Sequence, residues 1–183
     1  MKMILRWFPF GDDSVTLEQI KQIPGVTGVA TCLPKIPVGE VWPMHILLDL
    51  KKQINDHGLE MEVIESVNIH EDIKKGLPSR DEYIENYIKT LENLSKVGVK
   101  CLCYNFMPVM DWARSDLALE LPDKSKVMAY RHEEVLALNP KTMADVMAKK
   151  SLGYSLPGWE PERLDAMARD IDFYQTMTTK TYW

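Results

Sequence analysis

The sequence predicts an α/β protein built on a parallel sheet, and three observations carry that prediction. Strand-like and helix-like patterns alternate four times within 183 residues, at the spacing of βα units joined by right-handed crossovers. One apolar strand pattern, VKCLCYNFMPVMDW from Val99 to Trp112, runs into aromatic, polar and acidic side chains with no proline or glycine before Pro108. Barrels and open α/β sheets build their sites at strand ends of this kind. The first βα turn, Phe8-Pro9-Phe10-Gly11-Asp12-Asp13, contains neither GxGxxG nor a Walker A sequence, so the glycine-rich phosphate cradle of many open sheets is missing. A complete (β/α)8 barrel takes about 250 residues, and the chain holds roughly half of one.

Each element has its own local reason. Met3 to Phe8 reads as a first strand, ended by Pro9, Gly11 and Asp12. Thr16 to Ile23 follows as a short helix, with Thr16 and Gln19 at capping-box spacing and Pro24-Gly25 as its stop. Val26 to Cys32 is the second strand. After a loop containing Pro34, Pro37 and Gly39, Pro43 to Asn55 is helical, with Ile46, Leu47, Leu50 and Ile54 on one face and Gly58 beyond its end. Leu59 to Val67 is the third strand. Ser79 and Glu82 then have capping-box spacing, Ile84, Tyr87, Ile88, Leu91 and Leu94 form the stripe expected to be buried, and Glu85, Lys89, Glu92 and Lys96 form the polar face. Val99 to Phe106 is the fourth strand. Residues 117–157 show no clear period and are expected to form an irregular insertion or lid, with a helical fragment at Lys141 to Lys149. Leu156-Pro157-Gly158-Trp159 punctuates the chain before a last helix over Glu160 to Thr176, with Pro161 in its first turn. The ending TMTTKTYW has neither a terminal cap nor a polar tail, and the expectation is of a chain that has been cut.

Composition narrows the function classes. Hydrophobic residues at 45% and charged residues at 27% describe a globular protein with a real core. A net charge of −5 with dispersed Lys and Arg disfavours nucleic acid as a partner. The N-terminus lacks the long apolar run of a signal peptide, and no stretch approaches the length of a membrane helix. Three cysteines, Cys32, Cys101 and Cys103, give an odd count suited to a reducing cytoplasm.

Several groups could carry chemistry. His70 stands beside Glu71 and Asp72 at the end of the third strand, where it can act as a base, a hydrogen-bond donor or a metal ligand, or simply cap the next helical turn. Arg6 lies in the first strand, either as a carboxylate clamp or in an ion pair with a neighbouring strand, Glu65 being the candidate. Cys101 and Cys103 share a strand face and read as small core side chains. Tyr104 and Asn105 point to opposite faces, one toward a strand-end cavity and one toward the helices. Asp111, Trp112 and Arg114 form a short mixed cluster, either a lid over a polar ligand or a surface salt bridge packed on Trp112. His45, His57 and His132 read as surface residues without partners.

Taken together, Arg6-Trp7, Gly39-Glu40-Val41-Trp42, Ile64-Glu65-Ser66, Ile69 to Lys74 (IHEDIK), Cys103 to Val109 (CYNFMPV) with Asp111-Trp112, and Leu156 to Trp159 (LPGW) resemble the N-terminal half of the bacterial D-mannonate dehydratases. The resemblance runs in order over essentially the whole chain. It implies a xylose-isomerase-type (β/α)8 TIM barrel of which residues 1–183 hold about the first four βα units, an elaborated loop and a following helix. It also implies a cytoplasmic lyase of glucuronate breakdown that removes water from D-mannonate to give 2-keto-3-deoxy-D-gluconate with Mn2+ or Fe2+. The metal ligands that the resemblance implies, two His, a Cys and an Asp, belong to the second half of such a barrel, outside this chain, so none of its own His or Cys is assigned to the metal. Arg6, His70, Tyr104 and Asn105 are then the expected substrate-lining residues, with Trp112 and Trp159 covering the cavity. Phe8 departs from the family, which commonly has Tyr there. A sugar acid is the expected ligand, with no nucleic acid or membrane partner, and a homo-oligomer is the expected assembly. The alternative is a non-catalytic or half-barrel sugar-acid-binding protein that requires a partner chain, since four βα units leave two sheet edges to cover.

Overall fold

The computed structural model describes residues 1–11, 13–107, 115–131, 133–134 and 161–180. The chain divides into two compact units, residues 1–106 and 107–183. In the first, the order is β1 (Met3–Arg6), α1 (Leu17–Lys21), β2 (Val26–Thr31), α2 (Met44–Asp56), β3 (Glu60–Asn68), α3 (Glu71–Lys75), α4 (Arg80–Lys96) and β4 (Cys101–Asn105). The strands form one sheet in the order β1-β2-β3-β4, every neighbouring pair parallel. The α/β class and the parallel sheet are therefore as the alternation implies. The register slips between Ile64 and Val67, where the Glu65–Ser66 peptide is cis.

Local signals account for the helices on the covered side of the sheet. Thr16 Oγ1 accepts the Gln19 N–H at 3.3 Å while Gln19 Oε1 accepts the Thr16 N–H at 2.9 Å, so the capping box of α1 is complete. Leu47, Leu50 and Ile54 of α2 are buried, as their helical spacing requires, and they join Val29, Leu59 and Ile64 in the core. Each such side chain contributes about 1.5–3 kcal/mol of apolar burial.

Three expectations are corrected here. In α4, Thr90 and Leu94 are buried and Tyr87 is half-buried, whereas Ile84, Ile88 and Leu91 are 39%, 49% and 37% exposed. The helix is rolled so that a row of polar side chains meets the β2–α2 loop, because the backbone groups of that loop need partners when they are covered. Asn86 Nδ2 donates to Gly39 O at 3.0 Å, Thr90 Oγ1 accepts the Trp42 N–H at 3.1 Å, and Asn93 Nδ2 donates to Trp42 O at 2.9 Å. Second, Ser79 precedes α4 but sits in αR geometry and does not cap it; its hydroxyl donates to Asp72 Oδ2 at 2.5 Å. Third, Cys101 and Cys103 are exposed rather than in the core, because period two places them on the sheet face away from buried Ile64 and its register partner Leu102.

His57 also has partners. Its Nδ1 lies 2.8 Å from Gln53 O and its Nε2 2.7 Å from Glu18 Oε1, tying the end of α2 to α1.

In the second unit, β5 (Asp116–Glu120) and β6 (Lys126–Ala129) form an antiparallel hairpin, and α5 spans Pro161–Lys180. The first part of the segment expected to be irregular is thus a hairpin. Its turn is held by Asp123 Oδ1, which accepts from the Ser125 N–H and hydroxyl at 3.0 and 2.7 Å. The expected helix at 141–149 lies outside the described residues, as does His132.

Candidate functional site

Parallel strands deliver their last residues to one edge, and here that edge is polar. β1 ends at Arg6, whose guanidinium carbon stands 4.6 Å from the centroid of the Phe8 ring, a cation–π contact. Among the described residues Arg6 makes no ion pair, so the pairing with Glu65 is not formed. A guanidinium binds carboxylates through paired N–H donors. β2 ends at Thr31, fully buried, with no hydrogen-bond partner for its hydroxyl among the described residues.

β3 and β4 end as a pair. Asn68 and Asn105 are register partners, and Asn105 Nδ2 donates to Asn68 Oδ1 at 3.4 Å, while Ser66 Oγ donates to the same oxygen at 3.0 Å. Asn68 was not among the residues the sequence pointed to. Its signal was an amide breaking the run Ser66-Val67-Asn68-Ile69, at the same strand end as His70.

Tyr104 and Asn105 are separated as their alternation requires. Asn105 shares its side of the sheet with Asn68, whereas Tyr104 is the register partner of buried Val67 and is 67% exposed, its ring stacked with Phe106 at 5.9 Å between centroids. Burial pushes the Tyr87 phenol up, and Tyr104 adds to the effect. Desolvation likewise pushes the Cys103 thiol up, with Cys101 and Glu65 adding to it.

His70 takes the capping role that the sequence left open. Its Nδ1 accepts the Asp72 N–H at 3.1 Å at the start of α3, so the neutral ring carries its proton on Nε2. The ring lies on Tyr83 of α4 with centroids 3.6 Å apart and planes 17° apart. His70, Tyr83, Tyr87, Thr90, Gly39 and Asn68 line one small crevice, with room for about one water molecule. His70 and Asn68 of the strand-end row thus share this crevice.

Among the described residues no three His, Cys, Asp or Glu side chains come together to hold a metal. Trp112 and Trp159, with Asp111 and Arg114, lie outside the described residues. No described helix is long and apolar enough to cross a membrane.

Fold and site define a class: a parallel α/β protein with an arginine and paired amides along the C-terminal edge of its sheet. The family model for D-mannonate dehydratase (UxuA) matches residues 1–183. Mannonate dehydratase 1 of Bacillus licheniformis is 52% identical over 183 residues, which is 100% of this chain and 50% of the relative. The mannonate dehydratase of Geobacillus thermodenitrificans is 53% identical over 178 residues, 97% of this chain and 48% of the relative. The crystal structure of mannonate dehydratase from Streptococcus suis serotype 2 is similar at a TM-score of 0.72 and 40% identity, covering 98% of this chain and 51% of that one. The chain belongs to the D-mannonate dehydratase family, and it spans about half the length of the curated relatives it matches.

Proposed function

We propose that this chain forms the N-terminal four βα units of a (β/α)8 mannonate dehydratase, a cytoplasmic hydro-lyase that converts D-mannonate to 2-keto-3-deoxy-D-gluconate and water in glucuronate breakdown. The observation that supports it best is the polar strand-end row, with Arg6 making no ion pair among the described residues, in a chain 52% identical to a mannonate dehydratase over its whole length. Loss of water from a 3-hydroxy acid removes the proton α to the carboxylate and expels the neighbouring hydroxyl, so charge builds toward the carboxylate. This half supplies the groups that hold the sugar acid. Arg6 takes the carboxylate through paired N–H donors, Asn68 and Asn105 bond its hydroxyls, and His70 presents an Nε2–H donor. The described residues do not form the Mn2+ or Fe2+ site that the family reading implies, and no step is assigned to a metal held by them.

The test is turnover of D-mannonate by the protein that carries this sequence, supplied with Mn2+ or Fe2+. Release of 2-keto-3-deoxy-D-gluconate is expected, with Arg6→Met raising KM about ten-fold or more, the worth of a charge-assisted pair of hydrogen bonds. No product under either metal overturns the function. An unchanged KM in Arg6→Met removes Arg6 from the carboxylate.

A further inference from the structure

We propose that Tyr83 and Gly39 are positioning residues that hold the His70 imidazole in one orientation and one tautomer for the sugar acid, an inference that rests on the reading of His70 as a substrate-contacting group. Three separate parts of the chain meet at this ring. Asp72 at the start of α3 gives its N–H to Nδ1, Tyr83 of α4 covers one face at 3.6 Å, and Gly39 of the β2–α2 loop closes against both rings. A Cβ at Gly39 would lie 2.6 Å from Tyr83 Cδ1 and 2.9 Å from His70 Cδ2, and the backbone there has φ +93°. Any side chain at residue 39 would therefore be strained and would push into the stack.

The loop that brings Gly39 to this point is itself fixed. Asn86, Thr90 and Asn93, following Tyr83 along the same stripe of α4, hold the Gly39 and Trp42 backbone by three hydrogen bonds. One helix face thus carries both the ring under His70 and the clamp on the loop beside it. The amide bond to Nδ1 selects the Nε2–H tautomer, and the two packed surfaces stop the ring from turning about χ2, which is otherwise a soft torsion. A ring already fixed in orientation and tautomer before substrate arrives raises kcat more than it lowers KM.

The experiment compares His70→Ala, Tyr83→Phe and Tyr83→Leu in the D-mannonate-converting protein, reading kcat, KM and the ring nitrogen shifts of His70 by 15N NMR. Tyr83→Phe keeps the stacked ring and is expected to retain kcat within about two-fold, with the parental Nε2–H shift pattern. Tyr83→Leu is expected to lower kcat about three- to ten-fold at nearly constant KM, the range that an aromatic pair is worth, with the nitrogen shifts moving toward a tautomer average. Parental kcat and shifts in Tyr83→Leu beside an inactive His70→Ala would overturn the positioning role and leave the reading of His70 standing. Full activity in His70→Ala would retire both. Equal damage in Tyr83→Phe and Tyr83→Leu would assign the effect to the hydroxyl and overturn the stacking argument.

Discussion

Thr90→Val isolates the clamp on the β2–α2 loop. The Thr90 hydroxyl is fully buried, accepts the Trp42 N–H at 3.1 Å and donates to Asn86 O at 3.0 Å within α4. Valine has nearly the same shape, so the change removes the hydroxyl without opening a cavity. Asn86 O keeps its place in the helix ladder, but the Trp42 N–H loses its partner in a buried setting. Leaving a buried donor unsatisfied costs about 1–3 kcal/mol. Taking about 2 kcal/mol, and about 2–4 °C per kcal/mol for a chain of this size, the unfolding midpoint should fall by about 4–8 °C. The site-specific assay is hydrogen exchange at the Trp42 amide, which should lose protection in Thr90→Val and keep most of it in Thr90→Ser. Unchanged Trp42 protection and an unchanged midpoint in Thr90→Val would show that the hydroxyl does not hold the loop.

Two further expectations concern the first unit. Leu47→Ala removes a fully buried side chain of α2 and should cost about 2–5 kcal/mol in urea unfolding; a loss under about 1 kcal/mol would mean that α2 is not seated on the sheet as described. His57 is raised above its ordinary 6.5, first by the Gln53 carbonyl and then by Glu18, because both ring nitrogens donate only when the ring is charged. Glu18 is lowered below 4.5, first by a backbone hydrogen bond, then by Thr16 and His57. The stabilisation from His57 is therefore complete below pH 6.5 and lost as pH rises through its folded value, while that from Glu18 is complete above pH 4.5 and lost as pH falls through its own. The α1–α2 tie should be strongest between those two pH values, and an NMR titration of His57 at or below 6.5 would contradict it.

Much of the fold is legible in local pattern. The alternation of strands and helices, the complete Thr16–Gln19 box and the α2 face at Leu47, Leu50 and Ile54 all depend on residues within a turn or two of one another. The hairpin at 116–129 runs against the irregular insertion that the sequence suggests; the turn sequence Pro122-Asp123-Lys124-Ser125 was its signal, but apolar alternation is weak there. α4 misled because it carries two stripes. Ile84, Ile88 and Leu91 have the better apolar period, yet Tyr83, Asn86, Thr90 and Asn93 face the loop, because covered backbone donors and acceptors had to be satisfied.

The sequence by itself determined the parallel α/β class, the polar groups at the strand ends and membership of the D-mannonate dehydratase family, because periodicity, capping and motif order are carried by near neighbours along the chain. Only the tertiary structure decided that Asn105 meets Asn68 while Tyr104 stacks with Phe106, that Ser79 serves Asp72 instead of α4, and that His70 stacks on Tyr83 beside Gly39. The physical reason is that these choices depend on strand register and on the roll of a helix about its axis. Both are set by contacts between residues distant in the chain, and a local pattern leaves them open.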